Sequence, residues 1–389
     1  VYQRASLSRR AVFFSAEQSG QCMKTIRTEL PSLVPGQPLF LNRYLFGGAE
    51  KGRSAYIQAG LHADEHPGIL VMQHLITMLK EYENQSRITG IITLVPLANP
   101  VGMMQNVLGY WAGRFDLANG ENFNRNFPEL SLALEKRLLA GETDPDLMIQ
   151  QSLANTEPMD TVGKMKHQLL SEALKYDLVL DLHCDTDAVL HLYTNRLHTE
   201  RARKLAHALG ASVVFVEDFA GGQPFDEAIL RTWKWFSDRQ LLETEAIPFS
   251  VTVELRGQAD VSDELAKQDA QAIIDFLISE GLLSAQPVAF EKPERVTIFP
   301  LEGASHLLAP VSGILAWRKN PGDAVTRGEH IADIVSVSDR QRTPICSNVN
   351  GVMVARPVTK MIRSGQRVAL LAGNDRLDDR QDGELLRHF

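Results

Sequence analysis

The sequence predicts an α/β protein, with a mixed, largely parallel sheet flanked by helices and a small all-β module toward its C-terminal end. Three observations carry this. From about residue 54, short apolar runs alternate with segments whose apolar residues recur at helical spacing. The runs are almost unbroken in Val, Ile and Leu, the composition of strands covered on both faces. After about residue 288 the helical spacing stops, and short β-type segments alternate with Gly, Pro and Asn.

The series begins with a strand over 54–59 that runs into a Gly-rich stretch, 60–68. Leu70, Met72, Leu75 and Leu79 then mark the apolar face of a helix over 69–82. Residues 90–96 read as a buried strand stopped by Pro96, which has no N–H to continue a ladder. Residues 129–172 break the rhythm. They are polar and partly helical, with loop signals over 141–145, and read either as a helical insertion laid over the site or as a surface addition. Strands follow at 176–183, at 211–216 behind a helix over 199–209, and at 249–255; a helix over 261–282 closes the unit. Farther on, Gly313-Ile314 precedes Gly328, with Val325 three residues before that glycine. Gly351-Val352 precedes Gly365, with Ile362 in the same relation. Two similar halves predict a pseudo-symmetric β module. The expected organisation is an extension or loosely held arm over 1–22, an α/β domain over 23–288, the β module over 289–374 and a polar tail over 375–389.

A length of 389 residues allows a large core and more than one domain. Apolar content of 44% and charged content of 23% are those of a globular protein. A net charge of −8 argues against nucleic acid as a partner, though not against small anions, which a local pair of arginines can hold. No apolar run reaches the length of a membrane span, so no membrane partner is expected. Cys22, Cys184 and Cys346 lie far apart, lack metal-type spacing and are odd in number. A disulfide framework is therefore not expected, and a reducing cytoplasm is. Homo-oligomerisation stays open.

Chemistry concentrates first in Gly60-Leu61-His62-Ala63-Asp64-Glu65. An imidazole and a carboxylate on a turn after a strand can point at one spot, and both suit zinc. A catalytic zinc needs a third protein ligand and an open position for water. The candidate is His183, which ends a strand, as ligands in open α/β sheets collect at strand carboxyl ends. Asp181 or Asp185 would orient its ring; a structural strand-end histidine is the alternative. Glu254 is the candidate base, since a charge within a buried strand needs a partner or a task. A salt bridge to Arg256 or a lysine is the competing reading. Asn124 and Arg125 lie in a polar loop flanked by Phe123 and Phe127, and a guanidinium fork suits a carboxylate. Arg114 is a second cation for the same pocket, with plain surface positions as the alternative for both arginines. His66, His191, His198, His207, Trp233, Trp235 and Cys184 read as packing or surface groups.

Together these residues resemble the zinc carboxypeptidase superfamily and, within it, the succinylglutamate desuccinylase/aspartoacylase branch. The matching pieces are 60–68 with its His-x-x-Glu, Asn99-Pro100, Asn124-Arg125 with Phe127-Pro128, Asp181-Leu182-His183 and Thr252-Val253-Glu254-Leu255, in that order over roughly 50–285. Pro321-Gly322-Asp323 with Val325 and Gly328 resembles lipoyl/biotinyl-type barrel-sandwich modules. The hairpin after Ile334 carries Arg340 and Arg342 but no Lys, so covalent lipoyl or biotin attachment is not expected. The resemblance implies one zinc per chain on His62, Glu65 and His183, Glu254 as general base and acid, Asn124 and Arg125 on the substrate carboxylate, and Arg114 at the scissile carbonyl. The implied reaction is hydrolysis of the amide bond of an N-acyl amino acid or similar small carboxylate. A metallocarboxypeptidase acting on peptide C-termini and a non-catalytic zinc-containing binding protein are the competing functions.

Overall fold

The computed structural model describes residues 23–48, 52–156, 158–285 and 296–385, the last without 379, 382 and 384. The expected arm over 1–22, the junction at 288/289 and part of the polar tail lie outside the described residues.

Nine strands form the main sheet: β1 (Lys24–Val34), β2 (Gln37–Gly47), β3 (Ser54–Ala59), β4 (Ile91–Val95), β5 (Leu178–Asp185), β6 (His191–Asn195), β7 (Val213–Glu217), β8 (Phe249–Gly257) and β9 (Thr297–Pro300). Their spatial order is β1-β2-β4-β3-β5-β8-β6-β7-β9. Five of the eight pairings are parallel, so the sheet is mixed and largely parallel, as the apolar runs predict. β1, β2 and β6 escaped the sequence reading. β1 is a half-exposed edge, and its Lys-Thr-Ile-Arg-Thr-Glu-Leu alternates instead of running apolar.

Helices α1 (His66–Asn84), α5 (Thr199–Leu209) and α7 (Asp263–Ser279) cover one face. Their Leu75, Leu205 and Ile273 pack in one core with Leu178, Leu180 and Leu182 of β5 and Val251 and Val253 of β8. Helices α2 (Ser131–Leu139), α3 (Pro145–Ala154), α4 (Thr161–Ala173) and α6 (Phe225–Ser237) cover the other. Leu134, Met148, Met165 and Trp233 pack there with Tyr56, Val95 and Val179. The polar stretch 129–172 is thus more than a surface addition. Its buried apolar residues close the second face of the sheet.

Thr297–Pro300 departs from the expected module boundary. It belongs to the main sheet, where it pairs parallel with β7 and covers an otherwise open edge. Two antiparallel sheets follow, one of 304–308, 367–373, 351–356 and 324–325, the other of 342–346, 330–335, 313–317 and 361–362. The internal echo is structural. The strand that starts at Gly351 pairs with Ala324–Val325 of the first half, and the strand that starts at Gly313 pairs with Met361–Ile362 of the second. Gly328 and Gly365 both take positive φ, at 86° and 79°, in equivalent turns. Asp187–Ala188, just after β5, pairs with Ala355-Arg356 and so joins the two parts directly. Among the described residues no helix is long and apolar enough to cross a membrane.

Candidate active site

The site is built where β3, β5 and β8 end. Strand alternation sorts β5 and β8 into two faces. Leu178, Leu180 and Leu182 and their β8 counterparts Phe249, Val251 and Val253 face α1, α5 and α7. Asp181, His183, Thr252 and Glu254 share the opposite face, with Thr252 beside Asp181 and Glu254 beside His183 in the parallel register. After β3, Gly60 turns the chain with φ +68°. The loop that carries Arg114 then closes on this turn through Ala63 N–H to Gly113 O at 3.0 Å. A Cβ on Gly113 would lie 2.4 Å from the Asp64 nitrogen, so only glycine permits that approach.

His62, Glu65 and His183, all buried, converge with their ligand atoms within 4.8 Å of one another. Each ring is held through its far nitrogen. His62 Nε2 lies 2.8 Å from Asn122 Oδ1, and His183 Nε2 lies 2.9 Å from Asp181 Oδ2. As acceptor oxygens, these two demand protonated Nε2 atoms and leave both Nδ1 atoms facing the Glu65 carboxylate, at 2.9 and 2.8 Å. Two oriented imidazoles and a carboxylate are a donor set that fits zinc. Asp181, not Asp185, orients His183. Asp185 instead accepts from Arg367 Nη2 at 2.7 Å. Replacing Asp181 by Asn should weaken metal binding by about 10–100-fold, read by competition with a chelating dye; unchanged affinity would show that the contact has no part in it.

Charge runs high in this small volume. Burial opposes ionisation of Glu65, yet the two imidazoles outweigh it and hold its carboxyl well below the usual range. Burial also disfavours the His183 cation, but the Asp181 and Glu65 carboxylates push its pKa well up. Arg114 Nη1 sits 3.2 Å from Glu65 Oε1 and 3.3 Å from His62 Nδ1. Glu254 is raised to about 8, by burial first and then by the charge on Glu65. Among the described residues no hydrogen bond or ion pair reaches its carboxylate, and Arg256, its salt-bridge partner in the competing reading, turns to Asp269 at 2.5 Å. Arg125 is lowered to about 10 by burial and by repulsion from Arg114. Its Nη1 donates to Asn124 O at 2.7 Å. Asn124 Oδ1 accepts from Phe225 N–H at 2.8 Å, which ties the loop to the start of α6. Lys166 of α4 supports the same loop from behind, with Nζ 2.9 Å from Arg125 O.

All seven residues singled out from the sequence meet here, six of them, all but Glu65, lining a cavity of about 90 Å³. Leu301, His306 and Arg367 line it from the C-terminal part. Sequence reasoning missed these, and also Asn122, Tyr193, Glu217 and Asp226. Asn122 lies two residues before Asn124, at the start of the polar loop already noted; the others carried no local signal. His66 packs against Trp111, 5.7 Å between ring centroids, and stays out of the cluster.

The catalytic-domain model of the succinylglutamate desuccinylase/aspartoacylase family matches residues 51–279. The N-alpha-acetyl-L-2,4-diaminobutyric acid deacetylase of Halomonas elongata is 24% identical over 333 residues, 83% of this chain and 82% of the relative. Among solved structures, a succinylglutamate desuccinylase/aspartoacylase family protein from Shewanella amazonensis superposes with a TM-score of 0.76 at 24% identity, over 90% of this chain and 98% of that one. One from Shewanella frigidimarina does so with 0.79 at 23%, over 90% and 97%. The product-bound ectoine utilization protein EutE of Ruegeria pomeroyi gives 0.67 at 16%, over 92% and 97%. At these identities the structures share a fold.

Proposed function

Because the chain belongs to the succinylglutamate desuccinylase/aspartoacylase family, we propose that it is a zinc-dependent deacylase that hydrolyses the amide bond of a small N-acyl amino acid. The observation that carries this reading is the convergence of His62, Glu65 and His183, each ring fixed by its own oxygen acceptor, beside the carboxylate of Glu254, which no hydrogen bond or ion pair reaches among the described residues. The Halomonas relative, named for removing an acetyl group from a diamino acid, supports it.

Zinc held by His62, Glu65 and His183 would lower the pKa of a bound water to about 7 and polarise the acyl carbonyl. Glu254, with its raised pKa, takes a proton from the attacking water. The water oxygen bonds to the acyl carbon and the carbon–nitrogen bond breaks. Glu254 then returns the proton to the departing nitrogen, leaving a carboxylate and an amine. Arg114 faces the charge that develops on the acyl oxygen. Arg125, beside Asn124, holds the carboxylate of the amino acid. Leu301, His306 and Arg367 line the cavity, and its small volume of about 90 Å³ favours a short substrate over the extended cleft that a peptide end requires.

The test is metal analysis of the purified protein with a hydrolysis screen of succinyl, acetyl and longer-chain N-acyl amino acids against peptides. About one zinc per chain and turnover of N-acyl amino acids is the expected result. Preference for peptides would assign a carboxypeptidase. Tightly held zinc without hydrolysis of any compound would assign a binding protein.

A further inference from the structure

The chain that leaves His183 is held from the C-terminal part. The ladder between β3 and β5 ends at Ala59 and Leu182, one residue short of His183. On the other side, Glu254 pairs with His183, but the register then slips, and the next pair is Gly257 with Asp185. A bulge of this kind interrupts a ladder beside the side chains that it aims. Arg256, inside it, takes a left-handed φ of +63°. The main sheet thus stops gripping β5 on one side, and is interrupted on the other, just where the ligand and the base must keep their places. Residues 185–189 find partners in the C-terminal sheet instead. Asp187 and Ala188 pair antiparallel with Arg356 and Ala355, and Val189 N–H donates to Val354 O at 3.0 Å. Thr186 Oγ1 donates to Arg356 O at 2.8 Å.

Two ion pairs fasten the same stretch. Arg356 Nε lies 2.7 Å from Asp187 Oδ2, and Arg356 Nη1 donates to Lys319 O at 2.8 Å, back into the module. Arg367 Nη2 lies 2.7 Å from Asp185 Oδ1, with the Asp185 side chain 12% exposed. Thr186 O in turn accepts from Gln258 N–H at 3.1 Å, and a Cβ on Gly257 would lie 2.9 Å from that oxygen. The stretch therefore braces the end of β8, just beyond Glu254, as well as the end of β5, just beyond His183. We propose that Arg367 and Arg356 are positioning residues of the metal centre. Acting through Asp185 and Asp187, they fix the His183 ring and the Glu254 carboxylate relative to each other. The C-terminal module is then a working part of the catalytic unit. This rests on the reading of His62, Glu65 and His183 as the zinc site. Loss of a partner that orients a metal ligand typically costs about 10–100-fold in affinity or activity, and turnover depends steeply on the placement of ligand and base.

The test loads the full chain with Co²⁺ in place of Zn²⁺, because the visible absorption of cobalt reports the geometry of its ligands. Zinc affinity is read with a chelating dye, and kcat and KM with the best compound of the acyl screen. Arg367→Met should shift the cobalt bands, weaken zinc binding, and lower kcat by about 10–100-fold with little change in KM. Arg367→Lys, which keeps a cation for Asp185, should recover most of the loss. Arg356→Met should move the same readouts in the same direction. Arg318→Met removes a pair with Asp333, 3.0 Å apart elsewhere in the module, and should match the wild-type chain. Melting curves show which variants are folded; if Arg367→Met is not, Arg356→Met decides. Folded arginine variants with wild-type spectrum, affinity and kcat overturn the proposal. So does a raised KM with kcat and spectrum unchanged, which would make Arg367 a substrate contact. An equal change in Arg318→Met would mean general loosening of the module, and overturns it too. A wild-type chain that takes up no metal overturns the zinc reading and the proposal together. Metal uptake without hydrolysis of any compound overturns the deacylase alone, since spectrum and affinity still test both arginines.

Discussion

Glu254→Gln should lower kcat by about 10²–10⁴-fold while the protein keeps its metal. The substitution preserves shape and removes the group that accepts and returns the proton. Glu254 lies on the same face as His183 and next to it in register, yet it is not one of the three converging ligands. Metal content and activity should therefore separate cleanly in this variant. The raised pKa of about 8 follows from burial and from the neighbouring Glu65 charge, so a neutral amide should also be tolerated by the fold. Near-normal turnover in a metal-loaded Gln variant would remove Glu254 from the proton path. Loss of metal together with activity would make it a ligand rather than a base.

His183→Ala should cost metal affinity by more than the about 10–100-fold that an outer contact carries, and should abolish activity at ordinary zinc concentrations. The structural cost is separable. The buried Oδ2 of Asp181, now paired with His183, would lose that partner, and Gln58 Nε2 would remain on Oδ1 at 3.0 Å. An unsatisfied buried acceptor costs about 1–3 kcal/mol, so the variant should melt earlier but still cooperatively. Metal content by mass spectrometry after dialysis, read against the melting curve, tests both parts. A folded variant that retains stoichiometric zinc would place the ion elsewhere.

The sheet was legible because its central strands are buried on both faces, and burial writes itself locally as unbroken Val, Ile and Leu. The same reasoning lost β1, whose exposed edge alternates Lys, Arg and Glu with apolar residues. It also divided the chain too early near 297. Thr297–Pro300 looks like its C-terminal neighbours, and only the open edge of β7 gives it a place in the main sheet. Residues 129–172 looked polar because helices on a sheet face show water one side. Their buried Leu134, Met148 and Met165 join the core on that face of the sheet.

For the site, the division is between what a motif states and what a register assembles. By itself the sequence determined the chemical parts: a His-x-x-Glu turn, a strand-end histidine, a strand-buried carboxylate and a polar Asn-Arg loop, all short-range patterns set by strand period and turn geometry. Only the tertiary structure decided which residues surround them. Adjacency of β5 and β8 set Glu254 beside His183, Asn122 came to hold His62, and Arg367 arrived from a separate sheet to bind Asp185. Such partners are separated by tens to nearly two hundred positions of chain. No local spacing encodes them, because strand order and side-chain packing, which are global minima of burial, bring them together.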